Sequence, residues 1–331
     1  MDIVVRSLAF LVALPCAIAM GYAIQRGATC LVAAVDEVMT RRRCTRLAAM
    51  LEASLWVAGG LLIARALHVL PVLPSGHAVG LSTILGGALL GAGAFVNRAC
   101  VFGAVARFGS GEWAYLATPA GFYLGCASLG YANLAPAAKL DGTSPILDAA
   151  SWLAVAAGAL MVLRVLRAVR VGRQSGTSWR VLATRGWSPH AATIVIGVSF
   201  CIMFVLVGAW AYTDVLAELA RGMTHSTAAR VLLLLALLAG AALGGYTAGR
   251  FRPTRITVGQ LARCTAGGVL MGWGSLLIPG GNDGLILVGL PLLWPFAWLA
   301  LLAMGVTIAA AKAVAFMVAR EGPGPSHLSG H

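Results

Sequence analysis

Nine stretches of about twenty residues carry almost no charge, and a chain built this way has few options for folding. They run over 4–24, 50–70, 79–97, 112–131, 148–168, 190–213, 227–248, 264–278 and 294–317. A helix rises 1.5 Å per residue, so about 20 apolar residues match the ~30 Å hydrocarbon core of a bilayer. Inside that core every backbone polar group needs a partner within the protein, which leaves helices or closed barrels. A barrel would show short segments of alternating polarity rather than long apolar runs. Hydrophobic residues make up 60% of the chain and charged ones 11%, against roughly 25% charged in soluble domains. A soluble enzyme, a disordered tail protein and a disulfide-rich secreted module are excluded. The expected fold is an all-α polytopic membrane protein with about nine transmembrane helices.

Shorter apolar pieces at 27–40, 99–108 and 284–292 adjoin Gly-rich breaks and fall short of crossing length. They read as re-entrant segments, which are stable only where they line a cavity inside protein. At the N-terminus, Arg6, an apolar stretch and Ala17-Ile18-Ala19 resemble a signal peptide. The run continues to Ile24, which favours a retained first helix, and Pro15 before Cys16 argues against lipoprotein cleavage.

The net charge is +13. Fourteen of the 24 basic residues are Arg in three loops, 41–46, 164–185 and 250–263, with no acid among them. The alternate loops hold Lys139 and Arg221 against Asp141, Asp214, Glu218 and Asp283. This is the positive-inside pattern, not an aromatic-interleaved basic surface, so no nucleic acid is expected as a partner. The Arg loops then face the cytoplasm, the N-terminus lies outside and the C-terminus inside.

Two segments match without a gap at an offset of 181 residues. Identities fall at Gly86/Gly267, Gly87/Gly268, Leu89/Leu270, Gly91/Gly272, Gly93/Gly274 and Gly103/Gly284, and Trp113 pairs with Trp294. With 41 Gly in the chain, chance matches are easy, but the ungapped run and the paired Trp favour a repeat. Four spans per half plus one connector would set the second half upside down, an inverted repeat of the kind found in transporters. Residues 1–135 form the first membrane repeat, 136–187 the connector helix and Arg-rich loop, 188–320 the second repeat and 321–331 a tail. Gly87 and Gly91, four apart, would let helices approach closely.

Chemistry-bearing residues are few. The seven Cys (16, 30, 44, 100, 126, 201 and 264) form no C-x-x-C, so a thioredoxin-like pair is not indicated. No metal-ligand spacing, nucleophile elbow, P-loop or dinucleotide fingerprint is present. No catalytic residue, metal or cofactor is expected, and the chain does not read as an enzyme. Cys16, Cys126, Cys201 and Cys264 read as small apolar packing residues, and Cys44 as an exposed thiol in an Arg loop. Cys30 and Cys100 differ. Cys30 follows Gln25-Arg26-Gly27-Ala28-Thr29, and Cys100 follows Asn97-Arg98. Polar groups at membrane depth are costly and usually functional. An Arg beside a helix N-terminus favours an anion, although Arg98 and Arg107 could instead snorkel to the interface.

These residues carry a resemblance. Gly21-Tyr22-Ala23-Ile24-Gln25-Arg26 with Cys30 resembles the N-terminal motif of the YeeE/YedE sulfur-transport family. Gly87-x-x-x-Gly91-x-Gly93, Cys100 and Arg107-Phe108-Gly109-Ser110-Gly111 resemble its first Gly-Cys loop, and Trp210-Ala211-Tyr212-Thr213 its second-half motif. The resemblance implies inner-membrane uptake of thiosulfate or a related sulfur anion along a central path of Cys thiols. It implies a substrate path of Cys30, Cys100, Gln25, Arg26, Asn97, Arg98, Arg107, Gly281 and Asn282. It also leaves room for a TusA-like sulfur carrier or a rhodanese as partner. The sequence departs from the family at Gly280-Gly281-Asn282, where Gly-Cys-Asn is usual, so the third Cys is replaced by Gly281. On this reading Gly281→Cys should be tolerated. Two further classes are kept beside the permease: a non-transporting membrane anchor for a cytoplasmic sulfur carrier, and a membrane thiol enzyme, which lacks a paired Cys or a base.

Overall fold

The computed structural model describes residues 2–130, 138–140, 143–148, 152–174, 186–222 and 227–321. Among them the chain forms thirteen main helices, two single turns of 3-10 helix (Trp113–Leu116 and Pro145–Asp148) and no strand. They are α1 (Asp2–Gly27), α2 (Leu31–Arg41), α3 (Thr45–Ala66), α4 (Leu81–Asn97), α5 (Val101–Gly109), α6 (Ala117–Gly130), α7 (Trp152–Gln174) and α8 (Pro189–Val207). After these come α9 (Tyr212–Ala220), α10 (Thr227–Thr247), α11 (Val258–Leu277), α12 (Asn282–Gly289) and α13 (Pro295–Glu321). Each of the nine apolar runs contains helix. Six helical stretches are long and apolar enough to cross a bilayer, and the bent pair α11 and α12 makes a seventh. Nine crossings are therefore not established by length and composition. The charged connector α7 and the fourteen-residue α6 fall outside the six. Asp141, Arg180, Arg185 and the tail from 322 lie outside the described residues.

The 181-residue offset holds across the fold. Leu31 opens α2 and Tyr212 opens α9; Val101 opens α5 and Asn282 opens α12; Ala66 closes α3 and Thr247 closes α10. Each half thus presents two short helices, and each short helix follows a long one after a three- or four-residue break. This corrects two expectations. The run 190–213 is not one helix: it stops at Val207, turns at Gly208 with φ +86°, and restarts as α9. Asp214, Glu218 and Asp283 do not lie in loops. Asp214 and Glu218 are in α9, Asp283 is in the first turn of α12, and Asp283 is buried.

The repeated glycines explain how the halves meet. A Cβ on Gly93 would lie 2.6 Å from the Gly267 carbonyl oxygen, and one on Gly267 2.7 Å from that of Gly93. The same reciprocity ties Gly86 and Gly274, at 2.8 and 2.6 Å. So α4 and α11 cross antiparallel, backbone against backbone. The inner glycines receive outer helices instead. Gly87 and Gly91 face Ala300 and Met304 of α13, while Gly268 and Gly272 face Thr118 and Phe122 of α6. A methyl group at any of these sites would occupy a neighbour's main chain, and without a hydrophobic drive in lipid such close packing is what holds helices together.

Candidate functional site: a thiol pair on a basic cavity

Every short helix begins at a residue with extended backbone: Cys30 before α2, Cys100 before α5, Ala211 before α9 and Gly281 before α12. These are two equivalent pairs at the 181-residue offset, and only the first half supplies thiols. Their side chains and first turns interlock. The Cys100 S–H points to the Cys30 sulfur, with Sγ–Sγ 3.7 Å, and the Leu31 N–H donates to Cys100 Sγ at 3.2 Å. The Val101 N–H donates to Asn282 Oδ1 at 3.3 Å, and Tyr212 OH donates to the Val101 carbonyl at 2.9 Å. The Thr213 N–H donates to Asp283 Oδ2 at 3.2 Å, and its hydroxyl donates to Asp283 Oδ1. The first turns of α2, α5, α9 and α12 are thereby joined at one centre.

Room for the thiol pair is built into α5. A Cβ on Gly103 would sit 2.5 Å from Cys30 Sγ, so any larger residue there would displace the sulfur. Cys100 is fully buried, whereas Cys30, at 8% exposure, lines a cavity of about 690 Å³. Five cations share that lining: Arg46, Arg98, Arg107, Arg263 and Lys312. The acid on the wall is Asp36, which pairs with Lys312 at 2.5 Å. Arg107 is bound to Glu112 at 3.2 Å and stacks over Tyr115 at 5.2 Å. Arg98 holds a left-handed backbone, φ 59°, at the C-terminus of α4. That conformation costs a non-glycine residue about 1 kcal/mol or more and marks a position set by its surroundings. A cavity with this sign of charge concentrates anions, and it ends on a sulfur that donates and accepts only weakly.

Of the residues expected on the path, Cys30, Arg98 and Arg107 meet at the cavity, and Cys100, Gly281 and Asn282 meet behind it. The other three serve the frame. Arg26 is 1% exposed; its guanidinium donates to Tyr22 OH at 2.8 Å and Thr247 Oγ1 at 2.7 Å, bracketing α1 to the end of α10. Gln25 donates to Ser110 Oγ at 3.3 Å. Asn97 ties down its own loop, donating to the Ala99 carbonyl at 2.8 Å and accepting from Thr118 Oγ1 at 3.1 Å. Sequence reasoning missed Asp36, Arg46, Arg263 and Lys312 on the cavity wall, and Asp283 at the centre. The first four are scattered over 277 positions with no shared motif, and only folding gathers them. Asp283 directly follows Asn282 and was visible in the sequence as a charge inside an apolar region.

The packing reading of the other thiols agrees with their surroundings. Cys126 lies 3.6 Å from the Gly272 carbonyl and from Ser275 Oγ, and Cys201 fills the space above Gly60, where a Cβ would meet its sulfur at 2.1 Å.

No curated protein matches the chain. A family model described as "Sulphur transport" matches residues 26–310, all but the first 25 and last 21 positions, and it spans both thiols and all four short helices. The chain belongs to the YeeE/YedE sulphur transport family.

Proposed function

We propose that this protein is an inner-membrane permease for thiosulfate or a related small sulfur-containing anion, passed through the centre by Cys30 and Cys100. The observation that carries the reading is the thiol pair at the end of a cavity walled by five cations. The cations draw the anion in, and the thiols replace part of its hydration with bonds weak enough to release it. Asn282 supports the same route. The Val101 N–H requires an acceptor, which fixes the amide oxygen toward α5 and leaves Nδ2 buried with no partner. An unmet buried donor costs about 1–3 kcal/mol, and an anion oxygen arriving at the centre would satisfy it.

On this reading residues 1–135 and 188–320 are two inverted membrane repeats, joined by the connector helix and Arg-rich loop of 136–187. The chain then crosses nine times with its N-terminus outside, and the basic cavity faces the cytoplasm. A TusA-like carrier or a rhodanese would accept the sulfur there. One observation favours the anchor instead: Ala211 and Gly281 leave the second half's short helices without a thiol at their starts.

Uptake of radiolabelled thiosulfate into cells lacking other sulfur importers separates the two. Cys30→Ser and Cys100→Ser should each lower uptake by about tenfold or more, because oxygen is shorter and harder than sulfur. Cys126→Ser and Cys201→Ser should stay near the parent. If both Cys30→Ser and Cys100→Ser transport like the parent, the thiol path is wrong; if the parent itself carries no sulfur anion, the anchor stands.

A further inference from the structure

The absence of C-x-x-C in the sequence hides a dithiol. Cys30 and Cys100 are 70 residues apart in the chain, yet their sulfurs touch at 3.7 Å, and both are free thiols. Three features make the contact a built one. The Leu31 N–H holds the Cys100 sulfur against the backbone next to Cys30. Gly103, one turn beyond Cys100 in α5, leaves the space that the Cys30 sulfur fills. The exposures are unequal: Cys30 faces the basic cavity, whereas Cys100 is sealed behind it. One thiol is open to a reagent and the other waits behind it, the arrangement of an attacking and a resolving cysteine.

We propose that Cys30 and Cys100 form a reversible disulfide that shuts the path when a peroxide enters the basic cavity. The effect on uptake rests on the permease reading; the disulfide itself does not. Cys30 attacks one peroxide oxygen, the O–O bond breaks, and water leaves with the thiol proton, giving a sulfenic acid. The Cys100 sulfur then attacks the Cys30 sulfur, the S–O bond breaks, and a second water leaves. Two thiols and one hydrogen peroxide yield one disulfide and two waters, the sulfurs losing two electrons and the peroxide gaining them. A disulfide bond is about 2.05 Å long, so the sulfurs close by about 1.7 Å from their present contact. The product staples the first turn of α2 to that of α5 and removes both S–H donors from the path. The equivalent station in the second half, Ala211 and Gly281, cannot be stapled. Reduction by a small dithiol restores the open pair.

The test uses full-length protein carrying Cys44→Ser, which removes the exposed thiol, reconstituted in vesicles. Hydrogen peroxide should produce one linked peptide joining the Cys30 and Cys100 segments, lower thiosulfate uptake at least tenfold, and lose both effects on adding dithiothreitol. Cys100→Ala should give no linked peptide and leave Cys30 as a sulfenic acid trapped by dimedone. Absence of the linked peptide in the Cys44→Ser protein overturns the proposal, and so does unchanged uptake once the link has formed. If the untreated protein carries no anion, the permease reading fails separately, and the linked peptide alone decides the disulfide.

Discussion

The replacement at position 281 shows how a single side chain answers to its neighbours. Sequence comparison within the chain pairs Gly281 with Cys100, which made a cysteine there look harmless. The structure gives the opposite answer. A Cβ on Gly281 would meet Thr213 Oγ1 at 2.3 Å, Thr213 Cβ at 2.7 Å and Asp283 Oδ1 at 2.9 Å. Thr213 is β-branched, fully buried and bonded to Asp283, so it cannot swing aside. The second half has exchanged a thiol for a hydroxyl–carboxylate bracket that fills the same space. Overpacking of this kind costs about 1–3 kcal/mol. Gly281→Cys should therefore lower the melting temperature in detergent by several degrees, while Gly305→Ala, where a Cβ meets nothing within 4 Å, should leave it unchanged. Equal melting temperatures for Gly281→Cys and the parent would show that Thr213 yields after all.

Helices in this protein do two jobs, and length separates them. Long helices pack through glycine, with α4 and α11 crossing at Gly86, Gly93, Gly267 and Gly274. Short helices aim their first turns at the centre. The orphan N–H groups of a helix start need partners, and here the neighbouring short helix supplies them, as when Asn282 takes the Val101 N–H. The long helices therefore set the positions at which the short ones can interlock. Gly93→Leu should separate α4 from α11 and move Asn97 and Cys100 with it, since Gly267 also touches Asn97. We expect that variant to lose most of its folded yield in size-exclusion chromatography and to abolish uptake, whereas Gly259→Leu, at an open site on α11, should keep both. A monodisperse, active Gly93→Leu protein would contradict the seam.

The repeat relates the backbones of the two halves and leaves their charges unmatched. At the 181-residue offset, Arg46 answers to Thr227, Arg98 to Pro279, Arg107 to Val288, Arg263 to Ser82 and Lys312 to Tyr131, while Ala33 answers to Asp214. One mouth of the molecule is thus basic, and the equivalent positions of the other half hold none of these cations, while the acid only changes place, Asp36 answering to Ala217. An anion meets a favourable field at the basic mouth, so binding there should weaken with salt. Removing one unit charge some 8–12 Å away, at an effective dielectric of about 20, removes about 1.4–2 kcal/mol before screening. Arg98→Gln should then raise the half-saturation concentration for thiosulfate about tenfold at low ionic strength, with the gap shrinking at high salt. An unchanged value at low salt would mean that Arg98 only anchors its loop.

The apolar runs alone determined that the chain is a helical membrane protein, because a bilayer offers no other partner for a backbone. They also marked three of the four breaks and, through the glycine register, the repeat. Cys30, Cys100 and Asn282 stood out as polar groups beside those breaks. The fourth break, at Gly208, was not legible, since its flanks are as apolar as a continuous helix. Only the tertiary structure decided which of the expected residues line the basic cavity. Arg26 and Gln25 share a motif with Cys30, but a helix turns 100° per residue, and α1 directs them toward α10 and Ser110 instead. The cavity cations and the thiol pair are contacts between residues far apart in the chain. Local periodicity carries no information about such contacts; the close packing of α4 against α11, and the short helices it places, brings them together.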